Sequence, residues 1–360
     1  MPTSPALAVK HVAHDFPSSA GTKTRWRPAR LLAFVALLTC LSASSSAGDQ
    51  ASAVATLPVI ATKVITLGTQ GGPVPSTRRA QPANAVVVRG RIYLVDAGNG
   101  VVRQLVLAHL DYRRIDQIFI THNHDDHNAD WGTLMGLQWT TGRTAPVDVY
   151  GPPGTESMLN GFLQFFEPNA QIRSAEVRRA HRPSELFRAH DIVKVGLVFH
   201  DDLVTVTAAE VCHFHFDPAA PPDGGPHKSF AFRFETPDRV VVFSGDTGRC
   251  PGLVDFARDA DLLVHEVVSL PLAETEVRRL VAAQPGNVSS RVYQDLVRHM
   301  TEDHTTPEDI GKLAAAAGVK KVVLTHFVPG GDSDPANAYT EGVKAYYPGP
   351  VVAADDLMEF

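Results

Sequence analysis

The segment Thr121-His122-Asn123-His124-Asp125-Asp126-His127 decides how this chain is read. It follows the apolar run Ile118-Phe119-Ile120 and sets three imidazoles and two carboxylates within six residues. A strand that ends in a tight turn can splay such side chains around a common point. Imidazole nitrogen and carboxylate oxygen are the donors that Zn2+ takes, and Mn2+ or Fe2+ accept them as well. For a single histidine a solvated polar loop is the plainer reading. For this cluster it is not, because crowding ligand-type side chains without a cation between them is costly.

Outward from this segment the chain reads as strands and helices. Gln117 to Thr121 is the buried strand that delivers the cluster. Before it, Lys63 to Leu67 has β-branched alternation, Ala85 to Val88 and Arg91 to Val95 form a hairpin around Gly90, and Val101 to Leu110 reads as a helix. After it, strands are expected at Val147 to Tyr150, Leu203 to Val211, Phe230 to Glu235, Val240 to Phe243, Leu262 to Val264 and Lys321 to Leu324. Helices are expected at Thr155 to Phe166, Glu274 to Ala283 and Pro307 to Ala317, the last opened by Pro307 and closed by Gly318. This order suits a layered α/β protein with helices over both outer faces, and nothing after residue 60 marks a domain boundary.

Composition narrows the class. Of 360 residues, 44% are hydrophobic and 20% charged, as in an ordinary globular protein. No apolar run approaches the roughly 18 residues of a membrane-spanning helix. Three cysteines are too few for a disulfide scaffold or a cysteine-built zinc domain. Near the start, Lys10, Lys23, Arg25, Arg27 and Arg30 face only Asp15, and the apolar Leu31 to Leu41 and the small Ser45-Ser46-Ala47 follow. That is the layout of a secretory signal, so residues 1–47 are expected to be a cleaved signal peptide and 48–60 a linker, with the protein periplasmic or secreted. Taking five bases and one acid from 33 and 39 leaves 28 and 38, a formal charge of −10 that repels polyanions. Cys212 and Cys250 remain, each within four residues of a candidate ligand, but sequence does not supply the geometry of a disulfide.

His122-x-His124-x-Asp126-His127 resembles the signature of the metallo-β-lactamase superfamily. Three later segments are similar to that family's ligand-bearing strands: Val206 to His213, Val242-Phe243-Ser244-Gly245-Asp246-Thr247 and Leu324-Thr325-His326-Phe327. The resemblance implies a four-layer αββα sandwich over residues 61–360, with a variable insertion around 155–200. It implies that His122, His124 and His213 hold one Zn2+, that Asp126, His127 and His326 hold a second, and that Asp246 bridges them opposite a water or hydroxide. His215 competes with His213, two residues away on the same strand face, and strand position favours His213. Two zincs can lower the pKa of a shared water to about 7 and neutralise charge on an ester as it reacts.

Asp261 to Glu266 and His304-Thr305-Thr306-Pro307 resemble motifs of the ribonuclease Z and zinc phosphodiesterase branch. There the first motif sets a His-Glu pair beside the site, and the second offers a histidine to the scissile phosphate. The resemblance thus names Asp126, His304 and Glu266 as catalytic, with His304 kept protonated by Glu266 through an ion pair. One feature of that branch is missing. The long Gly-Pro-rich arm that grips transfer RNA, which would fall between Tyr150 and Leu203, is not evident. Arg173, Arg178, Arg179, Arg182, Arg188 and Lys194 outnumber the acids there, which a solvated helical face explains equally well. The expected activity is hydrolysis of a small phosphodiester, with an arylsulfatase-like ester hydrolase as the alternative and a non-catalytic metal-binding module as a distant third. The expected substrate is a small phosphate or sulfate ester, transfer RNA is disfavoured, and a homodimer is compatible with the sequence. His109, His181, His190, His200 and His299 have no pattern around them and are read as surface or core.

Overall fold

Along most strands the side chains alternate between two apolar environments, and this alternation sets the architecture. The computed structural model describes residues 62–216, 222–223, 225–283 and 290–360; the expected signal peptide and linker lie outside them. One sheet takes β1 (Lys63–Gly68), β2 (Ala83–Val88), β3 (Arg91–Val95), β4 (Ile115–Phe119), β5 (Val147–Gly151) and β6 (Phe187–Asp191). The other takes β7 (Gly196–His200), β8 (Thr205–Val211), β9 (Ser229–Glu235), β10 (Val240–Phe243), β11 (Leu262–Val268), β12 (Val322–Val328) and β13 (Val351–Ala353), while β14 (Met358–Glu359) returns to the edge of the first. The orders are β14-β1-β2-β3-β4-β5-β6 and β13-β12-β11-β10-β9-β8-β7.

Facing residues of the two sheets share one core: Val86, Val88, Tyr93, Val95 and Phe119 meet Val206, Phe230, Phe232, Phe234, Val264 and Val323. The intervening residues point outward, as a period of two requires. Ile92 and Leu94 pack under the helices α1 (Val101–Leu107), α3 (Trp131–Thr140) and α4 (Thr155–Glu176), the short α2 (Asp125–Asn128) standing between the first two in sequence. Leu263, Val267, Val322 and Leu324 pack under α9 (Pro307–Ala317) and α10 (Asn337–Tyr346). Between α4 and α9 come α5 (Pro183–Leu186), α6 (Gly252–Phe256), α7 (Leu270–Ala283) and α8 (Ser290–Glu302). The result is the expected four-layer αββα sandwich.

Several elements differ from expectation. Helix α4 runs past Pro168 to Glu176 instead of stopping at Phe166. An interior proline costs about 3 kcal/mol, but Ala170 beyond it is buried in the same core as Leu159 and holds the helix on. Segment 187–200 supplies β6 and β7, one edge strand for each sheet, which short amphipathic runs did not reveal. Strands β11 and β12 extend past Val264 and Leu324 and so carry Glu266 and His326 inside the sheet. Helices α3, α8 and α10 were also unanticipated.

Candidate metal centre

The candidate ligands gather at the ends of strands, on the edge where the two sheets open. Strand β3 is followed by Asp96, whose backbone is left-handed (φ 60°). Its carboxylate accepts the Thr121 N–H at 2.8 Å and the Thr121 hydroxyl at 3.0 Å, and lies 2.8 Å from His127 Nδ1. That contact fixes the His127 ring with Nε2 inward, 3.5 Å from Asp126 Oδ2 and 3.4 Å from Asp246 Oδ1. Asp126 sits in the first turn of α2, under Gly72. A Cβ at Gly72 would lie 2.1 Å from the Asp126 carboxylate, so only glycine lets this loop close over it.

The second sheet contributes from the opposite side. His213 follows β8, donates from Nδ1 to the Asp303 carbonyl at 2.8 Å and brings Nε2 to 3.2 Å from His124 Nδ1. His124 Nδ1 is in turn 3.0 Å from His122 Nε2. His213 is fully buried, whereas the side chain of His215 is 46% exposed and turned to the Asp303 carboxylate, so the structure brings His213 and not His215 to the cluster. Asp246 is presented by Gly245, which has a φ of 58° and room for no Cβ beside the Phe230 carbonyl. Its Oδ2 lies 3.8 Å from His122 Nε2, 3.9 Å from His213 Nε2 and 3.0 Å from His326 Nε2. His326 reaches this position through a bulge: His265 pairs with Leu324 and Val267 with Phe327, leaving one extra residue on β12, and His326 has a φ of 45°. A disulfide joins Cys212 to Cys250 (Cα–Cα 5.4 Å) and ties the segment that carries His213 to the one after Asp246.

These donors form two triads. Within His122, His124 and His213 the ligand atoms all lie within 4.8 Å of one another, and the same holds for Asp126, His127 and His326. Asp246 groups with His122 and His127. Burial holds His122 well below the usual histidine range, lowers His124 and takes His213 down to about 3, so these rings are neutral and offer lone pairs. In the second triad burial opposes charge, but the carboxylates outweigh it: Asp246 and Asp126 hold His127 well above its usual range and His326 at about 10. Burial likewise pushes both carboxyls up, yet the facing imidazoles bring Asp126 down to about 2 and Asp246 well below the carboxylate range. His127 Nε2 is buried without a hydrogen-bond partner, and three neutral imidazoles converge with their nitrogens 3.0–3.2 Å apart. Such a donor set fits divalent cations.

Beside the triads, His304 Nδ1 lies 3.2 Å from Glu266 Oε2, while Glu266 Oε1 accepts the Thr305 N–H at 2.9 Å and the Thr247 N–H at 3.3 Å. Of the expected His-Glu pair only Glu266 turns to the site. His265, one residue earlier, falls on the other face of β11 and bonds from Nδ1 to the Glu266 carbonyl at 2.7 Å. The proton of the His304–Glu266 pair also rests differently from expectation. Burial takes His304 down to about 3 and, with Asp246, takes Glu266 up to about 8, so in the metal-free protein the pair is neutral rather than the expected ion pair.

Sequence reasoning passed over three residues. Asp96 directly follows the hairpin strand that ends at Val95, with no ligand-type residue near it in sequence. Asp303 uses its carbonyl for His213 and its carboxylate for His215 and for His299, the latter at 2.6 Å. His299 was read as surface or core, but its ring centroid lies 5.2 Å from that of His304 and 5.8 Å from that of His213. The signal available was helical spacing, since His299 and Asp303 are four apart and His304 follows directly.

Comparison with known proteins agrees with this geometry. Residues 91–327 match the family described as beta-lactamase superfamily domain. A protein named ribonuclease Z from Mycobacterium sp. (strain KMS) is 33% identical over 74% of this chain and 84% of its own length. Among solved structures, the metallo-beta-lactamase fold protein YhfI from Bacillus subtilis superposes with a TM-score of 0.58 at 18% identity, covering 83% of this chain and 98% of that one. Human tRNase Z, short form, superposes with a TM-score of 0.56 at 22% identity over the same shares. The chain therefore belongs to the β-lactamase superfamily, among its ribonuclease Z-like, metal-dependent hydrolases.

Proposed function

We propose that this chain is an exported phosphodiesterase that works with two zinc ions on small esters. The carrying observation is the pair of donor triads that share Asp246, with His304 and Glu266 alongside. Bound there, two divalent cations would supply a water of lowered pKa and neutralise charge on a phosphoryl group. His122, His124 and His213 would hold one ion, Asp126, His127 and His326 the other. Asp96 fixes the His127 ring, and the Asp303 carbonyl fixes His213. Glu266 and His304 hold one mobile proton between them and deliver it to the leaving oxygen, a role typically worth about 10²–10⁴ in rate.

Export is supported by the Cys212–Cys250 disulfide, which persists best in an oxidising compartment. On this reading residues 1–47 are a cleaved leader and 61–360 the catalytic domain. The relatives are named for action on RNA, but two observations favour a small ester here. Residues 151–203 are spent on α4, α5, β6 and β7, which join the body of the fold. Much of the basic stretch is also engaged: Arg173 with Glu176, Arg182 with Glu167, Arg188 with Asp148, and Arg179 over Trp139.

The test is a screen of zinc-loaded protein against bis-p-nitrophenyl phosphate, an aryl sulfate and a transfer RNA precursor. Turnover of the diester with poor cleavage of the precursor is expected. Efficient, salt-sensitive cleavage of the precursor would contradict the small-ester reading, and activity on the sulfate alone would favour the arylsulfatase-like alternative.

A further inference from the structure

A cavity of about 460 Å³, within the size range of small-molecule sites, is lined by the Gly71-Gly72 loop that closes over Asp126. Its apolar wall comes from two helices and one strand: Leu272, Val277 and Leu280 of α7, Leu296 and Met300 of α8, and Val328 of β12. On α7, Ala273, Val277 and Leu280 make a stripe at helical spacing, and Leu296 and Met300 repeat it on α8. Leu272, Leu280, Leu296 and Met300 are only half-buried, so apolar surface is left facing water.

Three of the segments that line the cavity touch or carry residues of the site. Gly71 and Gly72 line it, and the Gly72 backbone touches Asp126. Val328 stands two residues beyond His326 on the same strand. Met300 follows His299 on the helix that leads into Asp303 and His304. The polar rim is mostly acidic, with Glu276, Asp332 and Asp334 against Arg279, which disfavours a polyanion and admits an uncharged group.

We infer that this cavity binds an alkyl or aryl group of the ester whose charged centre sits on the two triads, making the enzyme selective for esters with one apolar arm. The inference rests on the proposed ester hydrolysis and adds the identity of the arm. Burying a methylene strengthens binding about fourfold.

The test is calorimetric binding of methyl-, butyl- and phenylphosphonate, and of the matching sulfonates, to zinc-loaded protein. Butyl- and phenylphosphonate are expected to bind at least about tenfold tighter than methylphosphonate. Leu296→Gln or Leu280→Gln should bring that ratio toward one. If methylphosphonate binds and the longer ligands bind no better, the cavity is not the arm's site, while the phosphodiester reading stands. If only the sulfonates bind, and with the chain-length dependence, the cavity stands and the phosphodiester reading falls. If neither series depends on chain length, the inference is overturned.

Discussion

The two halves of the centre are built from different chemistry. His122, His124 and His213 are neutral imidazoles, kept so by burial. In the other half two imidazoles face carboxylates and carry protons in the metal-free protein, with His326 held at about 10. The first half is prepared to take a cation without proton exchange. In the second, a cation must displace protons as it enters. One contiguous motif thus feeds two triads of unlike character, since His122 and His124 belong to the first while Asp126 and His127 belong to the second.

Asp246 belongs to both halves, and its loss should have the largest effect. Asp246→Ala is expected to lose metal from both sites by elemental analysis and to slow hydrolysis at least about 10²–10³-fold, the usual loss when one electrostatic stabiliser is removed. Wild-type metal content in that variant would place the bridge elsewhere. His304→Ala belongs to neither half. It should slow esters with poor leaving groups by roughly 10²–10⁴, spare p-nitrophenyl esters and keep its metal. Loss of metal there would make His304 a ligand.

Two milder variants sharpen the contrast. Asp96→Asn removes the carboxylate that orients His127, so the second site alone should weaken about 10–100-fold in zinc titrations. Equal weakening of both sites would break the division into halves. Asp303→Asn frees His215 and His299 but leaves its carbonyl on His213, so the first site should change less than about tenfold. A larger change would mean that the carboxylate, not the carbonyl, positions His213.

The legible part of this site was the part written contiguously. His122 to His127 stand within six residues, and His213, Asp246 and His326 each close a recognisable apolar strand. The layers were legible too, because β10 and β11 divide their apolar residues between two cores: Val241, Phe243, Leu262 and Val264 in one, Val242, Leu263 and Val267 in the other. What stayed hidden depends on contacts between distant segments. Asp96 matters only because β3 lies beside β4, 31 residues from His127 in sequence. The bulge at His326 has no local signature, since Thr325-His326 reads as ordinary strand until its pairing with β11 is known. Pro168 argued locally for a helix end, and burial of Ala170 overrode it.

On the proposed reading two cations would share Asp246, in halves of unlike protonation. The direct measurement is calorimetric titration of the metal-free protein with Zn2+ at pH 6 and pH 8. His326 holds its proton below about pH 10, so binding at the second site must release it and should strengthen as pH rises. The expected result is two equivalents. One should have nearly constant affinity across this range, and the other should tighten about tenfold per pH unit for each proton displaced. A single equivalent, or two with the same pH dependence, would rule out two unlike sites sharing Asp246.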